Sequence, residues 1–106
     1  MQFRRDSFRQ KRGGTSKLLI VSCTACKAAV LSYQKDGIGD LLRCYLNRIA
    51  APPTLAALQH SASKKSDLAP LVCPECKAVM GIPMLHSDGR LAFRLVPGSF
   101  SRAEQH

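Results

Sequence analysis

Two short segments hold the side chains best suited to chemistry: "IVSCTACKAAV", residues 20–30, and "LVCPECKAVMG", residues 71–81. Each contains Cys-x-x-Cys-Lys-Ala, so Cys23 and Cys26 recur as Cys73 and Cys76, 50 residues further on. Two residues between cysteines let one tight turn aim both sulfurs at a single point. A tetrahedral Zn²⁺ takes four sulfur ligands at about 2.3 Å. One turn supplies two of them, and a second, separate turn supplies the rest. Four protein ligands leave no open position, so the chemistry expected is that of one structural Zn²⁺ rather than a catalytic one.

Thiols at this spacing have other uses. A redox Cys-x-x-Cys normally opens a helix in a βαβ setting, whereas both pairs here are flanked by short β-favouring runs. Two disulfides suit a secreted domain. "KLLIVSC" mimics a lipoprotein cleavage box, but its apolar part, Leu18 to Val21, is shorter than the roughly 7–15 residues of a signal core. Iron also accepts four thiolates. Zinc leads, with iron, a redox pair and disulfides left open. Lys27 and Lys77 follow the second cysteine of each pair. Four thiolates and a divalent ion carry a net charge of about −2. A lysine at ~7 Å would offset it by roughly 2 kcal/mol before screening, at an effective dielectric near 20. Two solvated lysines account for the pattern equally well.

Little else in the chain points to catalysis. Cys44 reads as a small buried residue, His60 and His86 lie near loops, and His106 is terminal. Seven acidic residues are scattered singly, and no Ser-His-Asp or Cys-His-Asn arrangement stands out. No catalytic residue is assigned, a non-enzyme is expected, and no small-molecule substrate is indicated. "KDGIGD", residues 35–40, lacks the G-x-x-x-x-G-K-[ST] order of a phosphate loop and reads as a turn.

These thiols need a scaffold. Leu18–Val21 and Ala28–Tyr33 read as strands of a hairpin whose turn is the first Cys-x-x-Cys. Leu71–Val72 and Ala78–Met80 repeat that arrangement around the second. Between them, "DLLRCYLNRI" places Leu41, Leu42, Tyr45, Leu46 and Ile49 on one face of an amphipathic helix, N-capped by Asp40 and ended by Pro52-Pro53; the other reading is that Asp36-Gly37 starts a hairpin into a strand. Thr54–Gln59 reads as a further helical turn, within a helical insert spanning about residues 40–60. "HSDGR", residues 86–90, predicts a hairpin turn joining a strand near Ile82–Leu85 to one near Leu91–Val96. Residues 1–17 form a basic arm, 18–98 the domain, and 99–106 a tail.

The knuckles "VCPECKAVMG" and "VSCTACKAAVLSY" resemble those of the zinc-ribbon group of small four-cysteine proteins. The resemblance covers roughly residues 18–34 and 70–96. It implies antiparallel β-hairpins holding one zinc on Cys23, Cys26, Cys73 and Cys76, and, with the insert, an α+β fold. Ribbons serve ribosomal, transcription and adaptor proteins alike, so it implies no single function.

The chain has 106 residues, enough for one domain. It carries 16 Lys+Arg against 7 Asp+Glu, a formal net charge of +9. Its aromatic content of 6%, without Trp, makes for a thin aliphatic core that a metal staple would help. The basic bias points to an anionic partner. Arg4, Arg5, Arg9, Lys11 and Arg12 of the arm, with Arg43 and Arg48 on the polar side of the expected helix, are the candidate nucleic-acid contacts. Few aromatics are present for base stacking. RNA or DNA is thus the leading partner. A protein-docking adaptor comes second, followed by a redox or metal-handling protein. No apolar run reaches the ~18–20 residues of a membrane span, so no membrane association is expected and a cytoplasmic location is the default.

Overall fold

The computed structural model describes residues 16–37 and 39–104. Apolar side chains at every second position dictate strands, as the first strand shows. In β1 (Ser16–Cys23) Leu19, Val21 and Cys23 are buried, with partly exposed residues between them. β1 turns through the first knuckle into β2 (Ala29–Asp36) and pairs with it antiparallel, Val21 opposite Leu31 and Leu19 opposite Tyr33. β3 (Arg43–Tyr45) and β4 (Ile49–Ala51) follow, separated by a single 3-10 turn, Leu46–Arg48. Two one-turn helices come next, α1 (Pro53–Ala56) and α2 (Leu58–Ser61), then a 3-10 turn at Lys65–Asp67. The last four strands are β5 (Leu71–Val72), β6 (Val79–Leu85), β7 (Leu91–Leu95) and β8 (Phe100–Glu104).

The strands form two antiparallel four-stranded sheets, β4-β2-β1-β8 and β3-β7-β6-β5. Their inward side chains share one apolar cluster. Leu19, Val21, Leu31 and Tyr33 come from the first sheet, and Cys44, Leu71, Met80, Phe93 and Leu95 from the second. Tyr33 also ties the sheets by accepting the backbone N–H of Tyr45 at 2.9 Å. Gly81 admits the closest contact: a Cβ there would lie 3.0 Å from Cβ of Phe93 and 3.3 Å from that of Leu71. The β6–β7 hairpin has the expected turn, with Gly89 at φ 91° and the N–H of His86 donating to the Arg90 carbonyl.

The helix expected from Asp40 does not form. Residues 43–51 are instead shared between the sheets: β3 pairs with β7 and β4 with β2. The helical assignment needed Leu42 inside and Arg48 outside. The structure leaves Leu42 61% exposed and Arg48 2% exposed. Leu41, Cys44, Tyr45, Leu46 and Ile49 are buried all the same, because a strand–turn–strand path between two sheets can bury the same apolar residues as one helical face. Tertiary pairing outweighs local propensity here. Pro53 accordingly opens α1 at its first turn rather than closing a helix. Two one-turn helices do occupy the stretch that contains Thr54–Gln59. The expected boundaries also move: Ser16 and Lys17, assigned to the arm, belong to β1, and residues 100–104, assigned to the tail, form β8.

Arg48 is buried because Asp36 receives it. Its Nε donates to Asp36 Oδ2 at 2.8 Å, while Ser16 Oγ and Gln34 Nε2 donate to Oδ1 at 2.8 and 3.1 Å. Burial opposes ionisation of Asp36, but these three donors outweigh it and hold the carboxyl below its usual range.

Candidate metal centre

Both Cys-x-x-Cys segments fold into the same turn. The N–H of Cys23 donates to the Ala28 carbonyl at 2.9 Å, and the N–H of Lys27 donates to the Cys23 carbonyl at 2.8 Å. In the second turn Cys73 and Ala78, then Lys77 and Cys73, make the same bonds, each at 2.9 Å. Closing the turn puts the residue after the second cysteine in the left-handed region, with Lys27 at φ 68° and Lys77 at φ 66°. They are the only non-glycine residues with positive φ among those described. Each lysine therefore occupies a position that glycine would fill without steric cost.

The 46 residues between the knuckles bring the second back against the first. Cys23 Sγ lies 3.6 Å from Cys76 Sγ, and Cys26 Sγ lies 3.5 Å from Cys73 Sγ. All four sulfurs fall within 4.8 Å of one another. A disulfide is about 2.05 Å long, and all four cysteines are free. A tetrahedron with metal–sulfur arms of about 2.3 Å has edges of about 3.8 Å, close to the spacing seen. Cys23 and Cys73 are buried at the knuckle bases, while Cys26 and Cys76 are exposed at the tips. The arrangement is thus approached from one side and rooted in the core on the other.

Four thiols this close compete for charge. The Cys73 thiol is drawn down to about 7, first by the backbone N–H of Cys76 and then, against burial, by that of Glu75 and by Cys26. The N–H of Ala28 favours the Cys26 thiolate, but the Cys73 side chain, burial and the remaining two cysteines together push that thiol up to about 12. The neighbours thus push two of the thiols in opposite directions, Cys73 toward the thiolate and Cys26 toward the thiol, and a cation bound among them would need its ligands as thiolates. Lys77 Nζ donates to the Pro74 carbonyl at 3.1 Å and lies across its own knuckle.

The other candidates fall elsewhere. Among the described residues the only group arranged to hold a metal is these four cysteines. Cys44 is buried opposite Phe93, and burial pushes its thiol up to about 12. His60 is exposed, and His86 meets Asp88 at 3.0 Å while its ring stands edge-on to Tyr45. Arg4, Arg5, Arg9, Lys11 and Arg12 lie outside the described residues, as does His106. Arg48 leaves the set of candidate phosphate contacts as placed, being buried in its pair with Asp36. Arg43 stays partly exposed and sits directly opposite exposed Arg94 on β7. Arg94 is not among the candidates the sequence offers. The β6–β7 hairpin register could have flagged its outward face, but its pairing with Arg43 required knowing that residues 43–45 form a strand.

Comparison of the chain with family models, curated proteins and solved structures finds no match. No helix among the described residues is long and apolar enough to cross a membrane.

Proposed function

We propose that this is a small non-enzymatic binding protein built around one structural Zn²⁺, held in the manner of a zinc ribbon by Cys23, Cys26, Cys73 and Cys76. The convergence of four sulfurs from two matching knuckles carries this reading. Four thiolates favour zinc over harder cations, and a closed ligand set argues against a metal that acts on substrate. Protein purified without added metal should contain one zinc per chain by elemental analysis. Cys26→Ser and Cys76→Ser should each lower that stoichiometry. Metal-free protein retaining its native fold would refute the structural role.

The partner we favour is nucleic acid, bound through phosphates. The supporting observation is Arg43 opposite Arg94. Like charges directly opposite in a sheet are destabilising, and neither arginine meets a carboxylate among the described residues. A phosphate would relieve the repulsion, and the net charge of +9 points the same way. Binding to a labelled single-stranded oligonucleotide should weaken steeply with salt. Arg43→Ala and Arg94→Ala should each flatten the log–log slope by about 0.7 if each contacts one phosphate. Absence of binding near about 50 mM salt rules the reading out.

A protein-docking role is the second reading. Its support is the exposed stripe of Val72, opposite Val79, and of Ile82, opposite Arg94. Stoichiometric co-purification with a protein after nuclease treatment would favour it.

A further inference from the structure

We infer that β8 pairs with β8 of a second copy of this chain, in antiparallel register centred on Ala103. β8 ends the first sheet, pairing with β1 on one side and with no described strand on the other. Unpaired strand edges are templates for another strand.

The register follows from the hydrogen bonds. The Thr24 N–H donates to the Ser99 carbonyl at 3.1 Å. Stepping two residues at a time along this antiparallel ladder makes Ser22–Ser101 and Ile20–Ala103 the hydrogen-bonded pairs. The N–H and C=O groups of Phe100, Arg102 and Glu104 therefore face the open side. A second strand would pair through positions of this set.

Charge then selects among the symmetric registers. Centring on Arg102 sets arginine against arginine, and centring on Glu104 sets glutamate against glutamate. Centring on Ser101 opposes Phe100 to Arg102. Only centring on Ala103 places Arg102 opposite Glu104 twice, at positions whose backbone groups both face the partner. The two small Ala103 side chains meet at the two-fold axis. Edge charges of one sign would repel a second copy, as many proteins arrange. Opposite signs two residues apart are self-complementary instead, the signature of an isologous contact. Lys17, 3.2 Å from Glu104, extends the charge row on each side. A cleft of about 330 Å³ beside β8 sets Leu42, Pro97 and Phe100 beside the charged Asp40 and Arg102.

Sedimentation velocity on the zinc-loaded full chain, from about 10 µM to about 1 mM, tests this. The mass should rise with concentration from 11.6 kDa toward twice that value. Arg102→Glu and Glu104→Arg should each hold the chain monomeric, and the double reversal should restore the dimer. Zinc content reports that each variant is folded. Ala103→Cys should form an intermolecular disulfide under mild oxidation, since Cα atoms of a non-hydrogen-bonded pair lie about 4.5 Å apart. Ser101→Cys, about 13 Å from its own copy in this register, should not. A monomer throughout the range, or a dimer indifferent to both single reversals, overturns the inference.

Discussion

Lys27 and Lys77 show a conflict between backbone and charge that single side chains must resolve. Both sit at left-handed φ, where a side chain costs about 1–2 kcal/mol relative to glycine. In return each carries a positive charge on the residue that follows a cysteine of the cluster. Both side chains are exposed, so solvent screens that charge heavily. The backbone effect should win. Glycine's greater freedom in the unfolded chain removes part of the gain. Lys27→Gly should therefore stabilise the zinc-loaded protein by about 0.5–1 kcal/mol. Lys77→Gly should gain less, because it also loses the hydrogen bond to Pro74. Urea midpoints at a fixed free-zinc concentration check both. A destabilised Lys27→Gly would mean that charge compensation governs the position. The four sulfurs were legible from sequence because two residues between cysteines is a local constraint, and local geometry survives any tertiary arrangement. Arg48 was not, because its burial depends on Asp36, a residue distant in sequence at the end of β2.

The segment between β2 and α1 is where element-level pattern and tertiary demand diverge. Apolar spacing over residues 41–49 fits a helix, yet the second sheet recruits Arg43–Tyr45 and the first recruits Ile49–Ala51. Periodicity reports which residues go inside, and it did so for Leu41, Tyr45, Leu46 and Ile49. It cannot report that they go inside against two different sheets. Hairpins were easier to read, since the knuckles and the Asp88-Gly89 turn each name their own partner strands. β8 was missed because "FSRAE" has no apolar alternation, and only its pairing with β1 makes it a strand. Besides its strand pairing and buried apolar residues, the crossing segment is tied to β2 by the ion pair from Asp36 at the end of β2 to Arg48 in the 3-10 turn, with side chains 5% and 1% exposed. Removing one member of a buried pair leaves the other charge in a poor environment, at a cost of about 3–5 kcal/mol. Asp36→Asn should therefore destabilise the protein by that order. Arg48→Met in the same chain should recover much of the loss, because an apolar residue needs no counter-charge. A double-mutant cycle by chemical denaturation measures this. Additive losses would show that the pair is not the fastening between β2 and the turn.

At the scale of the whole molecule, one ion is proposed to join two hairpins that belong to different sheets. Structural zinc contributes about 10–16 kcal/mol in small peptides, while whole domains are stable by only ~5–15 kcal/mol. The apolar cluster between the sheets, poor in large aromatics, is unlike a core with a large surplus. Stability should then track the protonation of the ligands. Free cysteine thiols titrate near 8.5, and in the zinc-loaded state they stay deprotonated far below that. A group whose pKa is lowered on folding contributes stability above its unfolded value and loses it as pH falls. Each proton that zinc displaces thus weakens the loaded state by about 1.4 kcal/mol per pH unit of acidification below that value. With several thiols involved, the thermal midpoint in zinc-buffered solution should fall steeply from about pH 8 to about pH 5.5. The carboxylates act outside this window. Asp88, for which burial is outweighed first by the Arg90 guanidinium and then by the Arg90 N–H and His86, titrates at about 2, and the Asp36 carboxyl is likewise held below its usual range. Their stabilising contributions persist through the range and fade only in stronger acid. Cys26→Ser should flatten the slope by displacing one proton fewer. A midpoint unchanged between about pH 8 and about pH 5.5 would mean that the two sheets hold together without the metal.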